Sequence, residues 1–229
     1  MAELRCALAL ALAMLEREEI IDFNGHFSAR LPDGRGLVIN AADSVRSRIT
    51  EADFIEIDFD GRPRVGERMP PMEFHLHAQV YLARPDVHAV VHTHPRWSTV
   101  LTTADHRWQP VTMQAAVLGA VRTFEKTASI NSAALGAELA QFLGADKAAL
   151  MRRHGAVTVA ASVLDAFVQA VYLEENAQRQ YLALQIGVPQ ALSEEECAGI
   201  GRNLSRPVLL QKVWDYHAAK HFPRGLRDE

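Results

Sequence analysis

His92-Thr93-His94 closes the apolar run Ala89-Val90-Val91. Side chains two residues apart leave a strand on the same face, so the two imidazoles can converge on one point. A second apolar stretch, Leu150 to Val157, carries His154 followed by Gly155. Three neutral imidazoles around an open position are a common way to hold a catalytic divalent metal. Glu73 stands just ahead of a helical pattern that leads into the His92 strand. A helix N-terminus favours the charged form of a carboxylate there, which can ligate a metal or exchange protons. Taken singly, each residue also has an ordinary reading. His-x-His occurs on half-buried strands without a metal, and an isolated glutamate commonly caps a helix or faces solvent. His77 lies one turn along from Glu73 and is expected as a hydrogen-bonded structural histidine, with His75 and His88 at the surface or in packing.

The elements that must position these groups can be read from periodicity. Leu4, Leu8, Leu10, Leu15 and Ile20 fit a partly amphipathic first helix. Its apolar run is too short to span a bilayer, which needs about 20 residues. It also lacks a cleavage-like site. Phe27, Ala29 and Leu31 alternate with polar residues as in a strand, turning at Pro32-Asp33-Gly34 into a partner from Gly36 to Asn40. Phe54 to Phe59 alternates likewise and is closed by Asp60-Gly61. After Pro70-Pro71 a helical pattern runs from Phe74 to Leu82, a strand from His88 to Thr93, and a short helix begins beyond Pro95. Residues 129–144 read as a helix with Asn131 or Ser132 near its start, 148–160 as strand around the His154-Gly155 break, and 163–186 as a long helix. A further helix opens at Ser193-Glu194-Glu195-Glu196. Helices mixed with hairpin-joined strands predict an α/β fold, a three-layer α/β/α or α+β domain with a largely antiparallel central sheet.

No linker or repeat divides the chain, so residues 1–229 are expected to form one domain. The formal net charge of −4, with no Lys/Arg block, argues against nucleic-acid binding. Cys6 and Cys197 are far apart and lack metal-type spacing, which suits a reducing cytoplasm.

From Glu73 through Arg84-Pro85-Asp86 to His92-Thr93-His94, the chain resembles the signature of class II aldolase/adducin-type proteins. Leu150 to Ala160 is similar to the family's later segment with a single His-Gly, and Gly25-His26-Phe27-Ser28-Ala29-Arg30 to its early Gly-(Asn/His)-x-Ser-x-Arg loop. The resemblance covers roughly residues 5 to 185 in matching order. It implies one divalent metal per subunit on His92, His94 and His154, with Glu73 as acid/base or additional ligand. It also implies a homotetramer with sites at subunit contacts. Zn, Mn, Fe or Co would be admissible, with Zn or Mn favoured. The substrate would be a small molecule, with no membrane or nucleic-acid partner.

Two departures from the sugar-phosphate aldolases of that family stand out. Where they carry a Ser-Ser pair before the catalytic acid, this chain has Met69-Pro70-Pro71-Met72. Proline offers a phosphate no N–H, and methionine offers no hydroxyl. His26 stands where the aldolases usually have Asn. The Gly-His-x-Ser-x-Arg form resembles the family's decarboxylases of hydroxylated aromatic or pyridine dicarboxylates. On that resemblance His26 is a second catalytic candidate beside Glu73. Ser28, Arg30 and Met72 are candidate substrate contacts, with Met69 and Phe27 beside them. Residues 204–229 form a tail expected at a lid or subunit interface. Trp214 is expected in helix packing, and Tyr216, near His217 and His221, is a further candidate contact. The expected activity is metal-dependent decarboxylation. The alternatives are cleavage of an unphosphorylated hydroxy-carbonyl compound, a non-haem iron oxygenase, and a non-catalytic adducin-like binding module.

Overall fold

The computed structural model describes residues 1–222; the end of the expected tail, residues 223–229, lies outside the described residues. Seven strands form one sheet: β1 (His26–Arg30), β2 (Leu37–Asn40), β3 (Phe54–Ile57), β4 (Ala89–Thr93), β5 (Val121–Phe124), β6 (Ala148–Met151) and β7 (Gly155–Ala160). Their order across the sheet is β3-β2-β1-β4-β7-β6-β5. Every neighbouring pair is antiparallel except β5 and β6. β4 lies at the centre, with His26 opposite His92 and Ser28 opposite Val90 on β1, and Val157 opposite His92 on β7.

The inner strands are buried on both faces, so helices must cover both. On one face lie α1 (Ala2–Arg17), α3 (Arg96–Thr103), α5 (Val163–Ile186) and α7 (Pro207–His221). Leu8, Leu12, Phe27, Val91, Leu150 and Phe167 belong to the core there. The other face is covered by α2 (Phe74–Ala83) and α4 (Ala133–Leu143), over Ile39, Leu76, Tyr81, Val90 and Val157. α6 (Glu194–Leu204) packs on a short 3-10 turn at residues 114–117. This is the expected three-layer α/β arrangement. No described helix is long and apolar enough to cross a membrane.

Local chemistry sets the boundaries. Ser132 and Ser162 cap α4 and α5 by accepting the N–H of Leu135 and Asp165, and Ser193 with Glu196 closes a capping box on α6. β3 stops at Ile57, short of the expected Phe59. There the Asp58 carboxylate accepts the N–H groups of Asp60 and Arg62 and folds the chain into a turn. β5 is absent from the sequence reading. It is a four-residue, partly exposed edge strand held by its parallel ladder to β6.

Candidate metal centre and active site

The end of β4, the β6–β7 turn and the start of α2 meet at one place. β4 delivers His92 and, just beyond it, His94; the turn carries His154; Glu73 is the residue that precedes α2. Close backbone packing makes this possible. A Cβ on Gly155 would lie 2.1 Å from the Thr93 carbonyl oxygen and 3.1 Å from the His94 ring, so only glycine lets β7 approach here. Arg153 holds a left-handed backbone (φ 57°), and its N–H is bound by Thr102 Oγ1 at 3.0 Å. Gly25, ahead of His26, has φ 96°, and its carbonyl accepts from Arg46 Nε at 2.8 Å.

His92 Nε2 stands 3.1 Å from His94 Nε2 and 3.4 Å from Glu73 Oε2, and His154 Nε2 stands 3.7 Å from Glu73 Oε1. All four donor groups fall within 4.8 Å of one another. The Nδ1 atoms of His92 and His154 each lie 3.0 Å from a backbone carbonyl, of Ala156 and Ala128 respectively. A carbonyl only accepts, so in each neutral ring Nδ1 carries the proton and Nε2 is left with the lone pair a metal would take. The Nδ1 of His94 lies 3.5 Å from Asp22, which leaves its Nε2 for the cluster. Donors about 2.0–2.1 Å from a tetrahedral zinc sit a little over 3 Å apart, and ligating imidazoles commonly bond a carbonyl through their other nitrogen. The residues present therefore fit a divalent metal.

Burial opposes ionisation of Glu73, but the imidazoles of His154 and His92 beside it outweigh burial and hold this carboxyl far below the usual range. The Ile130 N–H, 2.7 Å from Glu73 Oε1, fixes its orientation. Burial, then the neighbouring His92, lowers His94 to about 4, so its imidazole is neutral at pH 7. Burial also depresses His154, yet the Glu73 carboxylate prevails and raises it.

Residues 6–181 match the family model described as Class II Aldolase and Adducin N-terminal domain. The chain belongs to the class II aldolase/adducin family. Two curated relatives differ in chemistry. A 3,4-dihydroxyphthalate decarboxylase of Arthrobacter keyseri is 31% identical and aligns over 94% of this chain and 93% of its own. A 5-methylthioribulose-1-phosphate/5-deoxyribulose-1-phosphate aldolase of Rhodospirillum rubrum is 32% identical over 75% of this chain and 77% of its own. Among solved structures, an aldolase II superfamily protein of Pseudomonas syringae shares the fold, with a TM-score of 0.84 at 24% identity over 98% of this chain and 94% of that one.

Around this class II aldolase-type cluster the other candidate residues are distributed unevenly. His26 is at the site: its ring centroid is 5.3 Å from that of His92, and burial followed by the charge of His92 keeps it neutral. Its Nδ1 is buried without a hydrogen-bond partner among the described residues, as is Nε2 of His77. Ser28 is not open to a substrate. Its Oγ is fully buried between β1 and α2, 2.7 Å from His77 Nδ1 and 2.8 Å from the Tyr81 hydroxyl. This also gives His77 the expected structural hydrogen bond. Arg30 has other partners too: its guanidinium donates to the carbonyls of Tyr81, Arg84 and Val87 at 2.7, 2.8 and 3.0 Å, capping the C-terminus of α2. Phe27 points to the opposite face of the sheet, into the core beneath α1 and α5. Met69 and Met72 are exposed in the segment leading to Glu73. Tyr216 is exposed on α7 beside His217, whose Nδ1 bonds Glu18 rather than any of the four cluster residues.

Sequence reading misses the supports. Glu174 on α5 accepts the backbone N–H groups of Trp97 and Ser98 and the Ser98 hydroxyl, at 2.6, 2.9 and 2.7 Å. It thereby anchors the first turn of α3, which begins two residues after His94. Ala128 and Ile130 act through backbone atoms, which leave no side-chain signal. Glu174 was discoverable only as an acidic residue among buried neighbours in a long helix.

Proposed function

We propose that this family member is a metal-dependent carbon–carbon lyase that decarboxylates a small, unphosphorylated, hydroxylated aromatic or heteroaromatic dicarboxylate of the dihydroxyphthalate kind. The observation that carries this reading is the complete Glu73, His92, His94 and His154 cluster beside a segment, 69–72, unable to cradle a phosphate. Pro70 and Pro71 have no N–H to donate, and the exposed methionines on either side offer apolar, polarisable surface suited to a flat ring. The likeness to the dihydroxyphthalate decarboxylase, which extends over nearly the whole chain, supports the same choice.

His92, His94 and His154 would hold the ion, which when bound supplies Lewis acidity to a phenolic oxygen and its neighbouring carboxylate. Glu73, ionised and oriented by Ile130, accepts the phenolic proton. As the carbon–carboxylate bond breaks and CO₂ leaves, the electron pair stays on the ring carbon, and Glu73 returns the proton there. His26, buried and neutral beside His92, would hold a substrate oxygen as a neutral donor. The reading carries with it zinc or manganese as the ion, a homotetramer, and a cytoplasmic location.

The test is to incubate metal-loaded protein with hydroxylated phthalates and pyridine dicarboxylates and to measure CO₂ with the decarboxylated product. No turnover across the class, with bound metal verified, refutes the reading. Aldehyde release without CO₂ from unphosphorylated hydroxy-carbonyl compounds would favour the aldolase reading, which the relation to the methylthioribulose-phosphate enzyme keeps in view.

A further inference from the structure

A second group of metal-ligating side chains converges far from the first. Donor atoms of Glu18, His217 and His221 lie within 4.8 Å of one another. Glu18 follows the last residue of α1, and His217 and His221 stand four residues apart in the final turns of α7. That spacing puts both imidazoles on one helix face. His217 Nδ1 lies 2.8 Å and His221 Nε2 2.5 Å from a single oxygen, Glu18 Oε1. The three side chains are sheltered, with exposures of 7%, 13% and 19% for His217, His221 and Glu18. Phe167 and Tyr216 flank the His217 ring at 5.5 and 5.1 Å, and Phe222 lies against His221 at 6.4 Å.

The surroundings suit a cation. α1 and α7 both end here, and the C-terminal ends of helices carry partial negative charge. Lys220 reaches the same Glu18 oxygen at 2.7 Å. Its ammonium occupies the cation's place, and its long, half-exposed stem can swing to solvent. Each imidazole that now faces the carboxylate can exchange its proton for a metal bond, since a neutral ring ligates through either nitrogen.

We propose that Glu18, His217 and His221 form a second divalent-metal site, taking a borderline ion of the zinc class and tying the last helix to the first. Two imidazoles and a carboxylate are a donor set for zinc and its neighbours in the first transition row, with a fourth position left for water. The bridge joins residues 199 positions apart, so its effect is on the stability of the closed fold. An ion that binds the folded chain alone stabilises it in proportion to the logarithm of its concentration.

The experiment uses the full chain, stripped by chelator, re-equilibrated with zinc and assayed for metal per chain and for thermal midpoint. Wild type is expected to retain two ions. His94→Ala/His154→Ala, which disables the first cluster, is expected to retain one, and its midpoint should rise by several degrees with zinc. Adding His221→Gln to that background should abolish both the remaining ion and the rise. Glu18→Gln serves as an independent second variant, with circular dichroism verifying the fold of each. No ion in the His94→Ala/His154→Ala variant, or an unchanged zinc response after both His221→Gln and Glu18→Gln, overturns the proposal.

Discussion

Replacing Glu174 by glutamine probes whether the metal cluster depends on a side chain that never touches it. In the folded chain Glu174 is buried, with Oε1 accepting from Trp97 N–H and Oε2 from both Ser98 N–H and Ser98 Oγ–H. Burial raises its pKa, while those bonds pull it back. Glutamine fills the same volume but turns one acceptor into a donor, so in either orientation an amide N–H₂ confronts a backbone N–H. A buried donor left unpaired costs about 1–3 kcal/mol, and losing a charge at a helix N-terminus adds about 0.3–1 kcal/mol. Relief from burying a charge offsets part of this, leaving a net loss of about 1–3 kcal/mol. Glu174→Ala, which loses all three bonds and opens a cavity, should cost about 3–5 kcal/mol. Urea unfolding of chelator-treated protein measures both. Because α3 follows His94 so closely, zinc affinity at the first cluster should also fall, by about tenfold or more. A Glu174→Gln variant within 0.5 kcal/mol of wild type and with unchanged zinc affinity would refute the reasoning.

Glu73→Gln should keep its metal, since the three imidazoles are untouched, and lose turnover by about 100-fold or more; full activity with bound metal would remove the acid/base role. Ser28→Ala should destabilise by about 1–3 kcal/mol, because His77 Nδ1 and the Tyr81 hydroxyl lose a buried partner, while metal content stays unchanged. A loss of substrate affinity without loss of stability in urea would contradict that placement. Glu18 makes stability sensitive to acid. Burial works against its ionisation, but Lys220, His221 and His217 lower its pKa from 4.5 to about 2. A folded-state value below the unfolded one gives a contribution that is whole above about pH 4.5 and lost as pH falls toward 2. In metal-free protein, wild type should therefore lose about 3 kcal/mol more than Glu18→Gln between pH 5 and pH 2, as followed by denaturant titration.

The sheet was readable because a period of two and turn residues are local properties. Alternation from Phe27 to Leu31 and the turn at Pro32-Asp33-Gly34 lead directly to β1 and β2. Ser132 and Ser193 mark two helix starts through bonds that span three residues. β5 escaped notice because a short, partly exposed strand is held by a partner rather than by its own pattern.

At the site, sequence alone picked out the candidate metal-ligating set. Covalent spacing puts His92 and His94 on one face, and the His-Gly of the second apolar run supplies the third imidazole. Tertiary structure decided what the neighbouring residues do. Phe27, Ser28 and Arg30 are near neighbours on β1, yet one enters the core, one is sealed against His77 and Tyr81, and one caps α2. It also brought Glu174 under α3 and joined Glu18 to His217 across the length of the chain. Strand periodicity reports which side chains share a face. Which donor or acceptor each one meets there depends on elements packed from distant parts of the chain, and a buried polar group takes whichever partner that packing supplies.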